Sequence, residues 1–316
     1  MRIPKIIALT FSSIELLAFE LLAFSSPAAA QGTWQTHAPM LSSRTEVAAV
    51  ALREKIYVIG GFGKNGELME EYDPALDRWR HRAPLPVALH HTSAAAIAGK
   101  IYVIGGFGAS GQILDTVFEY DPVADQWRKR SPMPTARGAL AGAASGEKIY
   151  AVGGIGTNGL NTGANEEYDP GRNVWTKHAP LQTPRDHFAM ASTHGRLYAI
   201  GGRLNGNHTR NLAVNEEYDA GSDRWSYRAP MATSRSGIAA GVLEGKIFVF
   251  GGESGGGTFN QNESYDPLKN VWQIWAHMPT ARHGLGVAII GKTIYVVSGG
   301  PKPGATFSAL NEAFTP

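Results

Sequence analysis

The sequence predicts an all-β fold, a six-bladed β-propeller whose last blade is closed by the N-terminal strand. Three observations predict it: glycine fills 38 of 316 positions without a low-complexity run, one unit recurs six times, and each unit reads as four short β-rich runs. Glycine spread this way means many turns, and many turns mean many short strands. Four strands repeating at a period of about 48 residues make one blade, and closed radial packing of blades leaves only short, protected sheet edges.

At 43% hydrophobic and 18% charged, the chain has the means to bury a core, which excludes disorder. A net charge of +2 with both signs interspersed gives no footprint for a polyanion, so nucleic acid is not an expected partner. The chain has no cysteine, which removes disulfides, thiolate metal sites and cysteine nucleophiles.

Residues 1–30 read as a secretory signal: basic Arg2 and Lys5, an apolar stretch from Ile6 to Phe24, then Ser-Ser-Pro-Ala-Ala-Ala before Gln31. Cleavage is expected after Ala30, leaving 31–316 as a single propeller domain. Glu15 and Glu20 interrupt the apolar run, so a permanent membrane anchor fits worse, and the mature chain is not expected to insert. Export of a cysteine-free chain suits a bacterial periplasm or exterior, and a monomer is expected.

Three anchors define the unit. Ile-Tyr-Val-Ile-Gly-Gly or a close variant stands at Tyr57, Tyr102, Tyr150, Tyr198, Phe248 and Tyr295. Tyr-Asp-Pro follows at Tyr72, Tyr120, Tyr168, Tyr218 (with Ala220 for Pro) and Tyr265, and Phe314 ends the series. Trp34, Trp79, Trp127, Trp175, Trp225 and Trp272 are the third anchor, each 23 residues before the next first anchor. From Tyr-Asp to Trp is always seven residues, whereas the interval from first to second anchor ranges from 15 to 20. In Asp73-Pro-Ala-Leu-Asp77 proline presets φ and the carboxylates cap the turn.

This pattern of double glycine, Tyr-Asp-Pro and spaced tryptophan resembles the kelch repeat over the whole mature chain. The resemblance implies a propeller. Trp34 is a fourth-strand tryptophan with no earlier blade, and the sixth unit stops at Phe314 before any fourth strand. Residues 32–37 are therefore expected to complete the blade built by 282–314.

Thirteen residues before each first anchor stands Arg44, Leu89, Arg137, Arg185, Arg235 or Arg282. Two before each Tyr-Asp stands Glu70, Phe118, Glu166, Glu216, Glu263 or Glu312. The one copy without Arg is the one without Glu, which predicts an Arg–Glu pair inside each blade that one blade has exchanged for Leu89 and Phe118. Three G-x-G-x-x-G matches, at Gly61, Gly106 and Gly154, follow strands but open no helix, and read as hairpin turns rather than nucleotide loops.

Strand alternation puts the loops before the first strand and between second and third on one face, which carries all the length variation; such loops on a rigid frame are where binding residues concentrate. The first-strand starts bring Glu46, His90, His91, Asp186, His187 and His283 to the channel mouth. The long loops add Lys64, Asn65, Arg203, Asn205, His208, Arg210 and Glu253. Titratable groups in a polar recess suit sugar hydroxyls, peptide charges, or an acid and a base. No metal or other cofactor is expected, because the histidines come from three blades and spacing alone does not make them converge. Trp275 replaces the His or Arg of other copies on an outer strand and reads as an exposed contact residue.

The expected function is a secreted or periplasmic binding module that takes a protein or carbohydrate on the variable face. The alternative implied by the resemblance is a sugar mutarotase- or epimerase-like enzyme, of the kind acting on sialic acid. The Tyr–Cys crosslink of galactose-oxidase-like propellers is impossible without cysteine, and the E-x-x-x-D-x-x-x-H pattern of iron-dependent kelch specifier proteins is absent.

Overall fold

The computed structural model describes residues 31–63 and 66–316, and every regular element among them is a β-strand. The signal-like segment 1–30 and the loop residues Lys64 and Asn65 lie outside the described residues. Six antiparallel sheets form the blades; the first runs Ala48–Leu52, Lys55–Ile59, Met69–Asp73 and Arg78–His81 from the inside outward. The innermost strands Ala48–Leu52, Ser93–Ile97, Ala141–Ser145, Ala189–Thr193, Ala239–Leu243 and Gly286–Ile290 touch in succession, and the last touches the first. They are rich in Ala, Gly and Ser because six strands crowd round one axis. The second strands are almost wholly apolar, as Ile56, Val58 and Ile59 show, because a neighbouring blade covers each face.

Each sequence anchor has its own physical task. Every anchor tryptophan donates its indole N–H to a backbone carbonyl of the preceding blade: Trp79 to Ala38, Trp127 to Ala83 and Trp225 to Ala179, at 2.8–2.9 Å. The second-anchor tyrosine donates to the residue five on, as Tyr72 does to Asp77 at 2.6 Å, and that same carboxylate accepts the backbone N–H of Ala38 across the blade junction. The seven-residue spacing therefore carries a tie between blades. Double glycine allows a close approach: a Cβ on Gly251 would lie 2.4 Å from the Arg282 carbonyl, while the Gly252 N–H donates to that carbonyl at 2.9 Å. In the last blade Ser298 holds the same left-handed backbone, and its hydroxyl donates to the Arg44 carbonyl at 2.6 Å.

Ring closure is as expected. Thr33–Thr36 pairs antiparallel with Asn311–Thr315, with Trp34 opposite Phe314 and their rings 5.1 Å apart. Trp34 then donates to Ala276 of the fifth blade, whose N–H reaches the Gln31 carbonyl at 3.1 Å.

The five arginines are buried, and each meets its glutamate: Arg44–Glu70 at 3.3 Å, Arg137–Glu166 at 3.2 Å, Arg185–Glu216 and Arg235–Glu263 at 2.6 Å, and Arg282–Glu312. Leu89 and Phe118 share one core cluster in the exchanged blade. These arginines are structural. Among the described residues the glycine motifs open no helix; Lys100–Gly108 and Ile113–Asp121 run as one long hairpin through the second of them.

Trp275 corrects an expectation. It is 7% exposed, not a surface contact, and packs on Phe248 and Phe314 at 5.5 and 6.0 Å. In the fourth blade the corresponding Arg228 reaches the Tyr265 hydroxyl and Glu217, with Tyr198 donating to Glu217 as well. At the junction of blades five and six those positions read Phe248, Ser264, Trp275 and Phe314, which replace the charged cluster with three aromatic rings and one serine hydroxyl.

Candidate functional site at the channel mouth

Eleven residues before each first anchor stand Glu46, His91, Ala139, His187, Gly237 and Gly284. All six have left-handed backbone, with φ from 51° to 63°. A non-glycine residue there costs about 1–2 kcal/mol, so four such residues on one ring need an external constraint. Backbone hydrogen bonds supply it: His91 N–H donates to the Glu46 carbonyl, Ala139 to His91, His187 to Ala139, Gly237 to His187 and Gly284 to Gly237, at 2.9–3.1 Å. Val47 N–H closes the circle on Gly284 at 3.4 Å. Glycine at 284 has a further cause, because a Cβ there would lie 2.6 Å from Glu46 Oε1.

This collar sets the side chains into a continuous network. Glu46 Oε2 lies 3.5 Å from His91 Nε2, and Oε1 accepts from His283 Nδ1 at 3.1 Å. The His91 and His187 rings meet edge-on at 4.8 Å. His187 Nδ1 is 2.5 Å from Asp186 Oδ1, and its Nε2 accepts from Arg203 Nη2 at 2.8 Å. Arg203 reaches Glu253 at 2.6 Å, and Glu253 lies 3.7 Å from His283. The circuit thus returns to Glu46.

The electrostatics follow from burial inside this circuit. Burial alone would raise the Glu46 carboxyl, but His91, His283 and His187 hold it well below the usual carboxylate range. Burial pushes His91 down to about 3 against the pull of Glu46, so its ring is neutral near pH 7. Burial also lowers His90. His283 moves the other way: burial opposes its charge, yet the hydrogen bond and charge of Glu46, together with Glu253, raise it. Its Nε2 also sits 3.0–3.1 Å from the carbonyls of Gly304 and Lys302, so both ring nitrogens donate. Asp186 is lowered; burial resists, and His187 and Asn161 outweigh it.

Of the sequence-derived candidates, Glu46, His91, Asp186, His187, Arg203, Glu253 and His283 belong to the network. His90 Nδ1 lies 2.5 Å from His91 Nδ1, and its ring stacks on Phe107. Asn205 is exposed and ties its backbone to Asn161 of the neighbouring blade, while His208 edges the cavity. Arg210 stands exposed on the same hairpin, outside the network.

Four contributors escaped sequence reasoning. Asn161 donates to Asp186 at 2.6 Å. Phe62 and Phe307, each 40% exposed, lie 6.1 Å apart and wall a groove of about 520 Å³ that runs beside the mouth. Phe107 supports His90. An aromatic directly after double glycine, at Phe62 and Phe107, was the available sign. The mouth itself encloses about 210 Å³ among Glu46, His91, Arg203, Glu253, His283 and Phe62, and Phe62 joins the two spaces.

The family described as "KLHDC2/KLHL20/DRC7 Kelch-repeats domain" matches residues 20–202, and the "Kelch motif" matches 184–232 and 234–279. No curated protein matches the chain. A solved chain described as "Structure of YjhT" superposes with a TM-score of 0.77 at 16% identity, covering 86% of this chain and 95% of that one, a likeness of fold alone.

Proposed function

The chain belongs to the kelch-repeat family, whose propellers generally serve as binding scaffolds, and from that premise we propose that this one binds a carbohydrate at the mouth of its variable face. One observation carries the reading: a small recess ringed by carboxylates, histidines and Arg203 opens beside the aromatic pair Phe62 and Phe307. A sugar ring has that same division, hydroxyl edges for the charged groups and a C–H face for an aromatic surface. Apolar walls with a few convergent polar groups are the ordinary make-up of a small-molecule site. A peptide is the competing ligand, and would engage the long hairpin Arg203–Asn211 more than the recess.

We also propose that the chain acts outside the cytoplasm after loss of residues 1–30, on the strength of the signal-like N-terminus. Among the described residues no helix is long and apolar enough to cross a membrane.

A second reading, an acid–base enzyme acting at a sugar's anomeric centre, rests on the Asp186–His187 pair. Asp186 orients the imidazole and leaves Nε2 as an acceptor facing Arg203. Saturation-transfer NMR against a panel of neutral and acidic sugars tests binding, and exchange spectroscopy between anomers tests turnover. Binding without accelerated exchange supports the module; accelerated exchange supports the enzyme; a peptide-only response overturns both.

A further inference from the structure

We propose that Glu46, His91 and His187 form a site for one divalent transition-metal cation of the zinc class at the channel mouth. The three come from the first, second and fourth blades, and one ligand atom of each lies within 4.8 Å of the others. Tetrahedral zinc holds nitrogen and oxygen ligands at about 2.0–2.1 Å, which sets them roughly 3.3 Å apart. Glu46 Oε2 and His91 Nε2 are already 3.5 Å apart, so small side-chain rotations complete the set.

The surroundings have the form that metal-binding histidines require. A ligating imidazole is oriented by a hydrogen bond at its other nitrogen. Asp186 holds Nδ1 of His187, and His90 holds Nδ1 of His91, both at 2.5 Å. Both Nε2 atoms are thereby presented to the centre. Arg203 donates to His187 Nε2 in this structure, so an ion at that nitrogen displaces the guanidinium, which keeps Glu253 and Asp186 within reach as its carboxylate partners.

Charge favours the same conclusion. Glu46, Asp186 and Glu253 set three carboxylates against the one guanidinium of Arg203, an excess of anionic groups at the mouth. The neighbouring group Glu46, Glu253 and His283 also brings three potential donors together, but both nitrogens of His283 are engaged as donors, so it has no lone pair to give. Of the six inward collar positions, Ala139, Gly237 and Gly284 carry no donor. A three-ligand site with an open side is the form that binds a further group.

The test is calorimetric titration of Zn²⁺ into the purified, chelator-stripped, untagged protein, with Co²⁺ absorption as a readout of coordination. One saturable ion per chain is expected, with affinity falling at least about tenfold in His91→Ala, in His187→Ala and in Glu46→Gln. His81→Ala, on an exposed outer strand, is expected to bind as the wild type does. Thermal melts of each variant without metal separate loss of the site from loss of the fold, and a variant that does not fold is replaced by His91→Gln or His187→Gln. Absence of a saturable ion, or affinity unchanged in the folded His91 and His187 variants, overturns the proposal. Because the ion is added alone, the outcome is independent of whether the mouth takes a sugar.

Discussion

Trp275 donates its indole N–H to Ser264 Oγ at 2.8 Å, in the place where Arg228 and Glu217 meet one blade earlier. Four positions have changed together: a Tyr-to-Phe difference at 314 removes the hydroxyl that the arginine would bond, one at 248 removes the hydroxyl that would donate to the glutamate, and Ser264 removes the carboxylate. Trp275→Ala is expected to cost about 3–5 kcal/mol, as deletion of a buried large aromatic does. Trp275→Arg is expected to be as damaging, since it buries a cation among Phe248 and Phe314. Denaturant unfolding measures both; a loss below 1 kcal/mol in either would contradict the packing role.

The Arg185–Glu216 pair gives a second test. Arg185→Leu alone leaves a buried carboxylate unpaired and is expected to cost about 3–5 kcal/mol. Adding Glu216→Phe copies the Leu89 and Phe118 blade and is expected to recover much of that loss. A double-mutant cycle reads the coupling directly, and additive losses would separate the two residues.

How much of this was legible in the sequence depended on whether the cause was repeated within the chain. The Arg–Glu pairs were readable because six copies of one unit show which residues change together. The position of Trp275 alone does not show its burial, which is decided by Phe314, the end of a different repeat. The convergence of Glu46, His91 and His187 was not readable either. It requires knowing that their shared position, eleven residues before the anchor, turns left-handed and faces the axis. Loop length alone groups the hairpin residues Asn205 and Arg210 with the mouth, yet both are exposed beyond it.

Ring closure limits how far the proposed cleavage can reach: the Gln31 carbonyl accepts from Ala276 and Trp34 packs on Phe314, so a chain processed as proposed keeps Gln31. N-terminal sequencing of exported material is expected to begin at Gln31. Deleting 31–38 is expected to lower the melting temperature by far more than deleting 204–211, because only the first opens a sheet edge and empties the Trp34 site. Equal effects would refute the closure.

Acid sensitivity follows from the outer face. Lys100 Nζ lies 2.5 Å from Asp121, and that hydrogen bond, with the backbone N–H groups of Val123 and Ala124, draws the carboxyl down to about 2. Asp73 and Asp169 are lowered in the same way by Lys55 and Lys148. Because these folded values lie below the unfolded ones, the stabilisation is complete above the ordinary aspartate range and is lost as pH falls through the folded values. Carboxyl NMR titration of Lys100→Gln is expected to move the Asp121 midpoint up toward 3.8. No movement would assign the shift to the turn alone.

Binding at the mouth is tested most directly by titrating the responsive sugar into wild type and into Asp186→Ala/His187→Ala while following the histidine ring protons by NMR. Leu268→Ser, at a 78%-exposed turn on the opposite face, serves as the control. The account predicts shifts at His90, His91, His187 and His283 in the wild type, at least tenfold weaker binding in the double variant, which melts lower because Asp186 is buried but stays folded at the binding temperature, and full binding in Leu268→Ser. Undiminished binding by the folded double variant, with the mouth histidines unmoved, would contradict it.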